Sequence, residues 1–584
     1  MTGENAQQGR QRRAQEARPH RRLPRPEPWS LGALLIALLV LAPIVSVLWM
    51  AFAPSGDIWQ HLLATTLPRY AANTAVLVFW VGLLSALIGT GTAWMVTMYR
   101  FPGARLLSWA LLLPLAIPAY VGAYALVDFL EYAGPVQTLL REIFGWRDAR
   151  DYRFPEIRSM GGAVAVLSAA LYPYVFLLVR ASLREQSGAT YEVARALGAG
   201  PFKRFWRVGL PMSRPAIAAA SAIVMMETVS DFGAVSFFSV QTLTTGIFSV
   251  WLEGGNRSGA AQIASVVLVA AFVLVALEKR SRSRVRFYHL SRNHRPVVAQ
   301  PLAGWRGALA AVLCFLPFAA GFLLPVGVFL SHALGNARPW LDPGLLRALI
   351  NTLAVAGSAA ALTVAAALFM VYGVRMTGRR LPALLLPLTT IGYAAPGAVL
   401  GVGILFPLAG LDHMLANVLE ALSGREVGLL FTGSAAAVIF AYFVRFFAIA
   451  QGAADAAFGR ISPSLGMAAR SLGEGPGGAL RRVHLPLIRG SVGTALLLVF
   501  VDSVKELPAT LLLRPFNFNT LSTRVYEKAS LEQIGEASPA ALLVIAVGLL
   551  AVGLLARAHA RRDGPEGGGL AQRPPGLARG GATS

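Results

Sequence analysis

Four acidic side chains stand inside apolar stretches, where an ionised group is costly. Glu227 and Asp231 occur in one stretch, Asp502 and Glu506 in another, and Lys505 stands beside the second pair. A charge at membrane depth costs about 2.5–3.5 kcal/mol on insertion scales, so such groups are functional by default. We predict that these five side chains line a polar translocation path or form a gate of hydrogen bonds between repeats. The alternative is that they pair with one another and with nearby Ser and Thr only to hold helices together.

The two acidic pairs repeat each other. Within each pair the acids are four residues apart, which predicts that they share one helix face. The offset between the pairs is constant, since 502 − 227 and 506 − 231 both give 275. Repeats that run in the same direction are related by an axis along the membrane normal, so both acidic faces should point towards that axis.

The same offset relates two motifs that precede the acids. Residues 191–198 read YEVARALG and residues 466–473 read GMAARSLG, and a Leu-Pro pair follows each at the same distance. Small residues let another surface approach closely, a glycine permits the left-handed turn that ends a short helix, and proline suits the first turn of the next helix. The residues assigned to these two loops are Glu192, Ala194, Gly198, Leu210, Pro211, Met467, Ala468, Ala469, Gly473, Leu485 and Pro486.

No phosphate-binding loop accompanies these motifs. The lysines are Lys203, Lys279, Lys505 and Lys528, and none stands in a Gly-x4-Gly-Lys-Ser/Thr context. The eight histidines are scattered, without metal-ligand spacing or a Ser-His-Asp arrangement, which disfavours a membrane enzyme. We therefore expect no catalytic residue, metal site or cofactor in this chain, and any ATP would be hydrolysed by a separate subunit.

The composition is that of a membrane protein. Of the 584 residues 55% are hydrophobic and 14% are charged, against about 25% charged residues in soluble domains. The net charge of +23 sits in short blocks between apolar runs, which is typical of membrane topology rather than of nucleic-acid binding. Cys314 is the single cysteine, so disulfides and thiolate clusters are excluded.

Twelve apolar runs are long enough to cross a bilayer, which needs about 20 helical residues. They form two groups of six and predict an all-α polytopic protein with two tandem parallel repeats. The predicted spans are 31–51, 74–96, 106–130, 160–179, 215–238, 260–277, 309–330, 352–374, 384–408, 428–450, 492–513 and 539–556. The predicted domains are a basic tail (1–29), a first membrane domain (30–278), a basic linker (279–306), a second membrane domain (307–557) and a second tail (558–584).

Basic residues orient these spans. If the spans alternate, the basic tails, the linker and both motif loops fall on one side, which the positive-inside rule makes the cytoplasm. The loop at 131–158 carries five Arg on the other side, but it also carries five acids and is long, and the rule weakens for long loops. Both termini are then predicted to be cytoplasmic.

The loop motifs resemble a known signature. Glu-Ala-Ala-x3-Gly-x9-Ile-x-Leu-Pro, in the last large cytoplasmic loop of a six-span unit, is typical of type I ABC importer permeases. The first copy has Val193 for one Ala and Val208 for the Ile, and the second has Met467 in place of the acid. The resemblance implies that the loops form coupling helices that dock on ATPase subunits, with Glu192 the stronger contact.

Further stretches resemble the ferric-iron branch of that family. They are residues 227–236 with 242–247, 505–521, 172–174 and 524–526. The resemblance covers both halves, residues 30–557, and implies a fused permease in the bacterial inner membrane. Its implied partners are a periplasmic ferric-binding protein and two copies of a cytoplasmic ATPase that holds ATP and magnesium, with no nucleic acid.

The residue chemistry leaves the substrate open. Carboxylate oxygens suit a hard cation, but relatives that move thiamine, phosphonates or polyamines share the Asp-Phe-Gly style of sequence. An ion-coupled secondary transporter would also have repeats and buried acids, yet it would not need duplicated docking loops. A scaffold that transports nothing would not need polar residues at membrane depth.

Overall fold

The computed structural model describes residues 28–53, 58–283, 298–378, 380–425 and 428–562. These residues are almost entirely helical, apart from a short parallel pairing of Tyr99–Arg100 with Gln300–Pro301. The predicted all-α class is confirmed. Most of both predicted tails (1–27 and 563–584) and the middle of the predicted linker (284–297) lie outside the described residues.

Eleven helices among the described residues are long and apolar enough to cross a membrane. They are α1 (Pro28–Ala51), α2 (Leu67–Met98), α3 (Met160–Glu185), α4 (Pro201–Ser230), α5 (Arg257–Glu278), α6 (Gly304–Gly335), α7 (Pro343–Thr377), α8 (Gly397–Ser423), α9 (Ala435–Gly459), α10 (Pro476–Lys505) and α11 (Ile534–Leu554). A bent pair, Ala104–Ala116 and Ala119–Phe144, gives a twelfth crossing if it is counted as one span.

Shorter segments connect these helices. The short α-helices are Ile58–Ala64, Ala104–Ala110, Ala119–Leu130, Pro135–Phe144, Gly188–Ala196, Gly233–Phe237, Leu243–Phe248, Arg380–Thr389, Pro463–Ser471, Pro508–Leu513 and Leu521–Ser530. The 3-10 turns are Leu113–Ala116, Arg338–Leu341 and Thr390–Ala394. A π turn at Ser249–Glu253 also lies between long helices, whereas the π turns Phe205–Gly209, Ala319–Leu323 and Leu480–His484 lie inside α4, α6 and α10.

Two predicted spans are interrupted by a proline. The run at 106–130 is not one helix, because the chain turns by 98° at Ile117-Pro118. The run at 384–408 has the matching interruption at Ala395-Pro396. At Ile117 and Ala395 the backbone is extended, which is the conformation favoured before a proline, and the proline that follows has no N–H to continue the helix. The prediction of two continuous helices is wrong for this reason.

The duplication is visible as matched hydrogen bonds. The Thr74 hydroxyl accepts from the N–H of Leu243 at 3.0 Å, and the Thr352 hydroxyl accepts from the N–H of Leu521 at 2.8 Å. The asparagine before each threonine also bonds in the same way in both halves. These contacts join α2 to the short helix Leu243–Phe248 in the first half, and α7 to the short helix Leu521–Ser530 in the second half.

The first helix of each half packs on the other half. α1 lies against α7 and α8, and Trp29 stacks on Phe369 with ring centres 4.7 Å apart. α6 lies against the first half, where Gly321 approaches the carbonyl of Ala169 so closely that a Cβ would lie 2.4 Å from it. Small residues permit such close backbone approach between membrane helices. The two sequence halves are therefore interlocked in space.

The loop at 131–158 also joins the halves. Arg158 lies 2.8 Å from Glu131 of the same half and 2.8 Å from Glu532 of the other. The hydrogen bond to Glu131 raises the pKa of Arg158 above its usual value. This contact lies at the start of α3, the opposite end of that helix from the first motif loop.

The interlocking of α1 with the second half predicts opposite effects of two matched substitutions in α8. In Gly403→Ala the new Cβ would lie 2.3 Å from the carbonyl of Pro43 in α1, whereas in Gly410→Ala it meets nothing within 4 Å. We expect Gly403→Ala to destabilise by about 1–3 kcal/mol, as overpacking does, and Gly410→Ala to be neutral or stabilising by about 0.5–1 kcal/mol. Thermal unfolding of the purified chain in detergent measures both, and equal midpoints would contradict this packing.

Candidate functional site

A polar cleft lies between the two halves beside the first proline break. It is lined by all five side chains predicted for a translocation path, which are Glu227, Asp231, Asp502, Lys505 and Glu506. The backbone of the break, from Leu115 to Tyr120, forms part of its wall together with Tyr174 and Arg445. The cleft contains about 1100 Å³ of empty space, part of it open to solvent. The duplicated acids thus meet in one place, as parallel repeats require.

The acids of each pair do not share a helix face. α4 ends at Ser230 and α10 ends at Lys505, so Asp231 and Glu506 lie just beyond the helix that carries their partners. The predicted spans 215–238 and 492–513 therefore end too late, because extended backbone at each acid stops the helix. The four-residue spacing is real, but the geometry inferred from it is wrong.

Asp231 and Glu506 instead begin the short helices that follow. Asp231 Oδ1 accepts from the N–H groups of Ala234 at 3.1 Å and Val235 at 3.0 Å. Glu506 Oε1 accepts from the N–H of Ala509 at 2.9 Å. A carboxylate satisfies the free N–H groups of a helix start in this way. These two acids therefore shape the cleft as well as line it.

Arg445 is a cleft residue that the sequence analysis missed. Its Nε lies 3.5 Å from Glu506 Oε2, and the two side chains are only 13% and 5% exposed. The signal was present, because Arg445 stands inside the predicted span 428–450 and a charge at membrane depth is functional by default. Applying to this arginine the argument used for the acids would have found it.

Lys505 reaches the other half of the molecule. Its Nζ donates to the backbone carbonyl of Leu115 at 2.5 Å, just ahead of the proline break. Discontinuous helices with exposed backbone groups form the substrate sites of many transporters. The break and the charged residues are therefore parts of one arrangement.

Among the described residues, no group of three or more His, Cys, Asp or Glu side chains is arranged to hold a metal ion. Glu227 and Asp502 lie in the last turns of α4 and α10, and Asp231 and Glu506 lie just after those helices.

Each motif loop begins with a short helix that ends in the expected left-handed glycine. Gly198 has φ +78° and Gly473 has φ +85°. The N–H of the residue after each glycine donates to the carbonyl of Ala194 at 2.9 Å in the first loop and of Ala469 at 3.0 Å in the second. This is the Schellman arrangement. The two loops are therefore copies in backbone geometry as well as in sequence.

The loops present apolar side chains to solvent, but not equally. Leu197 is 81% and Leu472 is 84% exposed. The first loop adds exposed Phe202 and Trp206, where the second has glycine and arginine. Of the residues assigned to the loops, Glu192, Gly198, Met467, Ala468, Gly473 and Pro486 are exposed, Ala194, Leu210, Pro211 and Leu485 are half-buried, and Ala469 is buried.

A π turn precedes each Leu-Pro pair. Pro211 and Pro486 lie in the first α-turn, as expected, but a π turn joins that turn to the helical turn before it. α6 shows the same order, with a π turn directly before Leu324 and Pro325. A proline inside a helix clashes with the carbonyl four residues earlier and lacks the N–H that would bond it. The wider π turn lies where that carbonyl falls, so α4 and α10 continue through the proline.

Each loop is fixed to a long helix by an aromatic contact. Gly209 leaves space for Trp94 of α2, since a Cβ there would lie 2.3 Å from the indole. At the matching place His484 packs on Tyr372 of α7 with ring centres 5.5 Å apart. The first half thus packs the large indole ring of Trp94 on a glycine, and the second half packs the smaller rings of Tyr372 and His484 on each other.

The Arg445–Glu506 pair predicts a large loss of stability when one partner is removed. Arg445→Met should destabilise the chain by about 3–5 kcal/mol, because it leaves a buried carboxylate without its charge partner. The control Arg482→Met removes an arginine that is 75% exposed beside Glu474, and it should cost about 0–1 kcal/mol.

The double variant Arg445→Met/Glu506→Gln tests the cause of that loss. A glutamine can still accept from the N–H of Ala509, so stability should largely return when the stranded charge is removed. Unfolding in detergent supplies all three values. A double variant as unstable as Arg445→Met would contradict charge pairing as the cause.

The comparisons with known proteins fit this arrangement. Residues 79–287 match the family model described as "Binding-protein-dependent transport system inner membrane component". The Fe(3+)-transport system permease protein FbpB 2 of Haemophilus influenzae is 27% identical over 535 residues, which cover 89% of this chain and 96% of that protein. A putative ferric transport system permease protein, FbpB 1, of the same organism is 25% identical over 496 residues, covering 81% of this chain and 74% of that protein.

A shorter relative matches part of the chain. The sulfate transport system permease protein CysT of Escherichia coli is 28% identical over 255 residues, which are 42% of this chain and 88% of that protein. Nearly a whole protein is therefore similar to less than half of this one, as the duplication requires. Residues 79–287 are thus similar to an inner membrane component of binding-protein-dependent transport systems, and most of the chain is similar to permease proteins of ferric transport systems.

Proposed function

We propose that this chain forms the translocation path of an ATP-driven importer of ferric iron. A periplasmic binding protein delivers the iron, and two copies of a cytoplasmic ATPase drive the cycle. The observation that carries the proposal is the cleft, where acids from both halves meet between helices that lead directly to the two motif loops. The named ferric permease of Haemophilus influenzae, matched over 89% of this chain, supports the choice of substrate.

The charge of the cleft favours a cation. Four carboxylates line it together with two basic side chains, Arg445 and Lys505. An anion such as sulfate would meet an excess of negative charge, although a sulfate permease is similar in sequence to half of this chain. Hard cations prefer oxygen ligands, and the cleft offers carboxylates from both halves. Thiamine and polyamines are also cationic, so they are the substrates that an experiment has to exclude.

The motif loops are proposed as the docking sites for the ATPase. Their exposed leucines, Leu197 and Leu472, give each loop an apolar surface on which a partner can pack. The left-handed glycines fix the direction in which each short helix projects. Because the first loop also presents Glu192, Phe202 and Trp206, it should hold its ATPase copy more tightly than the second loop does.

The cycle follows from these parts. A loaded binding protein docks outside, ATP closes the ATPase dimer, and the dimer draws the two loops together. α4 and α10 carry this movement directly to the acids in the cleft, which turns the path from inward-facing to outward-facing, and hydrolysis resets it. The basic segments support a cytoplasmic position for both loops and both termini.

Docking through the leucines predicts a loss of ATPase binding. Leu197→Asp should weaken co-purification of the ATPase by about 30-fold, as removal of an interface anchor does, and Leu472→Asp should weaken it less. Insertion into the membrane should be unchanged, because neither side chain packs inside the chain. The control is Leu531→Asp, a leucine that is 67% exposed at the other end of the bundle. Equal ATPase binding by all three variants would refute these docking sites.

The substrate is tested by uptake into proteoliposomes. The full chain with its ATPase should take up ferric iron only when the ferric binding protein is outside and ATP is inside. Thiamine, a phosphonate and a polyamine, each offered with its own binding protein, should not enter. Uptake that needs no ATP and collapses with an ionophore would show a secondary transporter instead.

A further inference from the structure

We infer that Lys505 is a tether across the cleft, which holds the broken helix of the first half through the carbonyl of Leu115. Lys505 ends α10 of the second half, and its Nζ lies 2.5 Å from the Leu115 oxygen. The inference rests on the proposed function only in treating the cleft as the translocation path. The contact itself is the same whatever substrate passes.

The local sequence explains why Leu115 needs a partner. Leu115 lies in the 3-10 turn Leu113–Ala116, where a carbonyl normally accepts from the N–H three residues later. For Leu115 that residue is Pro118, which has no N–H. Within a membrane-embedded bundle such a carbonyl has to be satisfied by water in the cleft or by a side chain. Lys505 supplies the missing donor from the other half, so the break and the lysine complete each other.

The contact is asymmetric, although the halves are duplicates. Ser230 occupies the position equivalent to Lys505, since 505 − 230 is again 275. Its hydroxyl donates to the carbonyl of Met226 in its own helix at 2.8 Å. At this position the side chain of the first half, Ser230, bonds within its own helix, whereas the side chain of the second half, Lys505, bonds to the other half. A single contact of this kind can be released without disturbing the packing of the other break.

The contact between Lys505 and Leu115 limits the width of the cleft. Its neighbours Asp502 and Glu506 line the same cleft, so the ammonium keeps nearby negative charge when it leaves the carbonyl. Any movement that separates α10 from the first break has to lengthen the contact between Lys505 and Leu115. The tether therefore favours the narrow cleft, and its loss should leave the cleft open for more of the time.

The reaction rate of one introduced cysteine can measure how open the cleft is. Its single cysteine, Cys314, is fully buried, so a cysteine introduced by Ser230→Cys reports on the cleft. We expect Lys505→Met to speed modification of that cysteine by N-ethylmaleimide about tenfold, since a hydrogen bond to a charged group is lost. The nearby ammonium also favours the reactive thiolate, so its loss slows the reaction. Rates are therefore compared for the thiolate, from a pH series.

Two further variants decide the cause. Lys528→Met removes a lysine that pairs with Glu536 outside the cleft, and it should leave the labelling rate unchanged. Pro118→Ala gives Leu115 an N–H donor within its own segment, so Lys505→Met should speed labelling less in that background than it does in the native chain. A thiolate rate unchanged by Lys505→Met, or effects of the two variants that multiply, would overturn the tether.

This measurement needs neither ATPase nor substrate. A tether can therefore fail while the uptake experiment succeeds, and the reverse. Recovery of each variant as a monodisperse species in detergent shows that it has folded, so the labelling rates refer to the native chain.

Discussion

A membrane offers no water to a backbone group that has lost its partner, and the centre of this molecule is organised around that constraint. Pro118 and Pro396 interrupt a helix at the same point of each half, which leaves N–H and C=O groups that the helix cannot satisfy. Charged side chains from neighbouring segments are expensive in the same environment unless they find partners. In the first half one hydrogen bond provides a partner for both the charge and the backbone, because the Lys505 ammonium donates to the Leu115 carbonyl at the break.

Other charged groups of the cleft also have partners. Asp231 and Glu506 accept from amides at the start of new short helices, and Arg445 stands beside Glu506. Each of these contacts ties a charged group to backbone or to a partner in a neighbouring segment. A cleft of this kind can change its width by exchanging partners while its charges stay compensated. It also lies at the far ends of α4 and α10, the two helices that begin at the motif loops.

The fold class, the duplication and the position of the loops could be predicted because they depend on local patterns. Apolar length marks a span, a constant offset marks a repeat, and glycine marks a left-handed turn. The breaks at Pro118 and Pro396 were missed because apolar length was counted without asking where each proline would leave the backbone. The shared helix face of each acidic pair was wrong for a related reason, since spacing describes a face only where the helix continues. The partnership of Lys505 with Leu115 could not have been predicted, because it joins two halves whose relative placement no local pattern records.

The central claim is that two duplicated loops on one side of the membrane drive one cleft. Spin labels at Val193→Cys and Ala468→Cys, equivalent exposed positions in the two loop helices, measure the distance between the loops in the complex with the ATPase. The account predicts that both labels are reached by a reducing agent from the cytoplasmic side alone, and that the distance between them shortens when ATP binds. Labels reached from opposite sides of the bilayer, or a distance that ignores ATP, would contradict it.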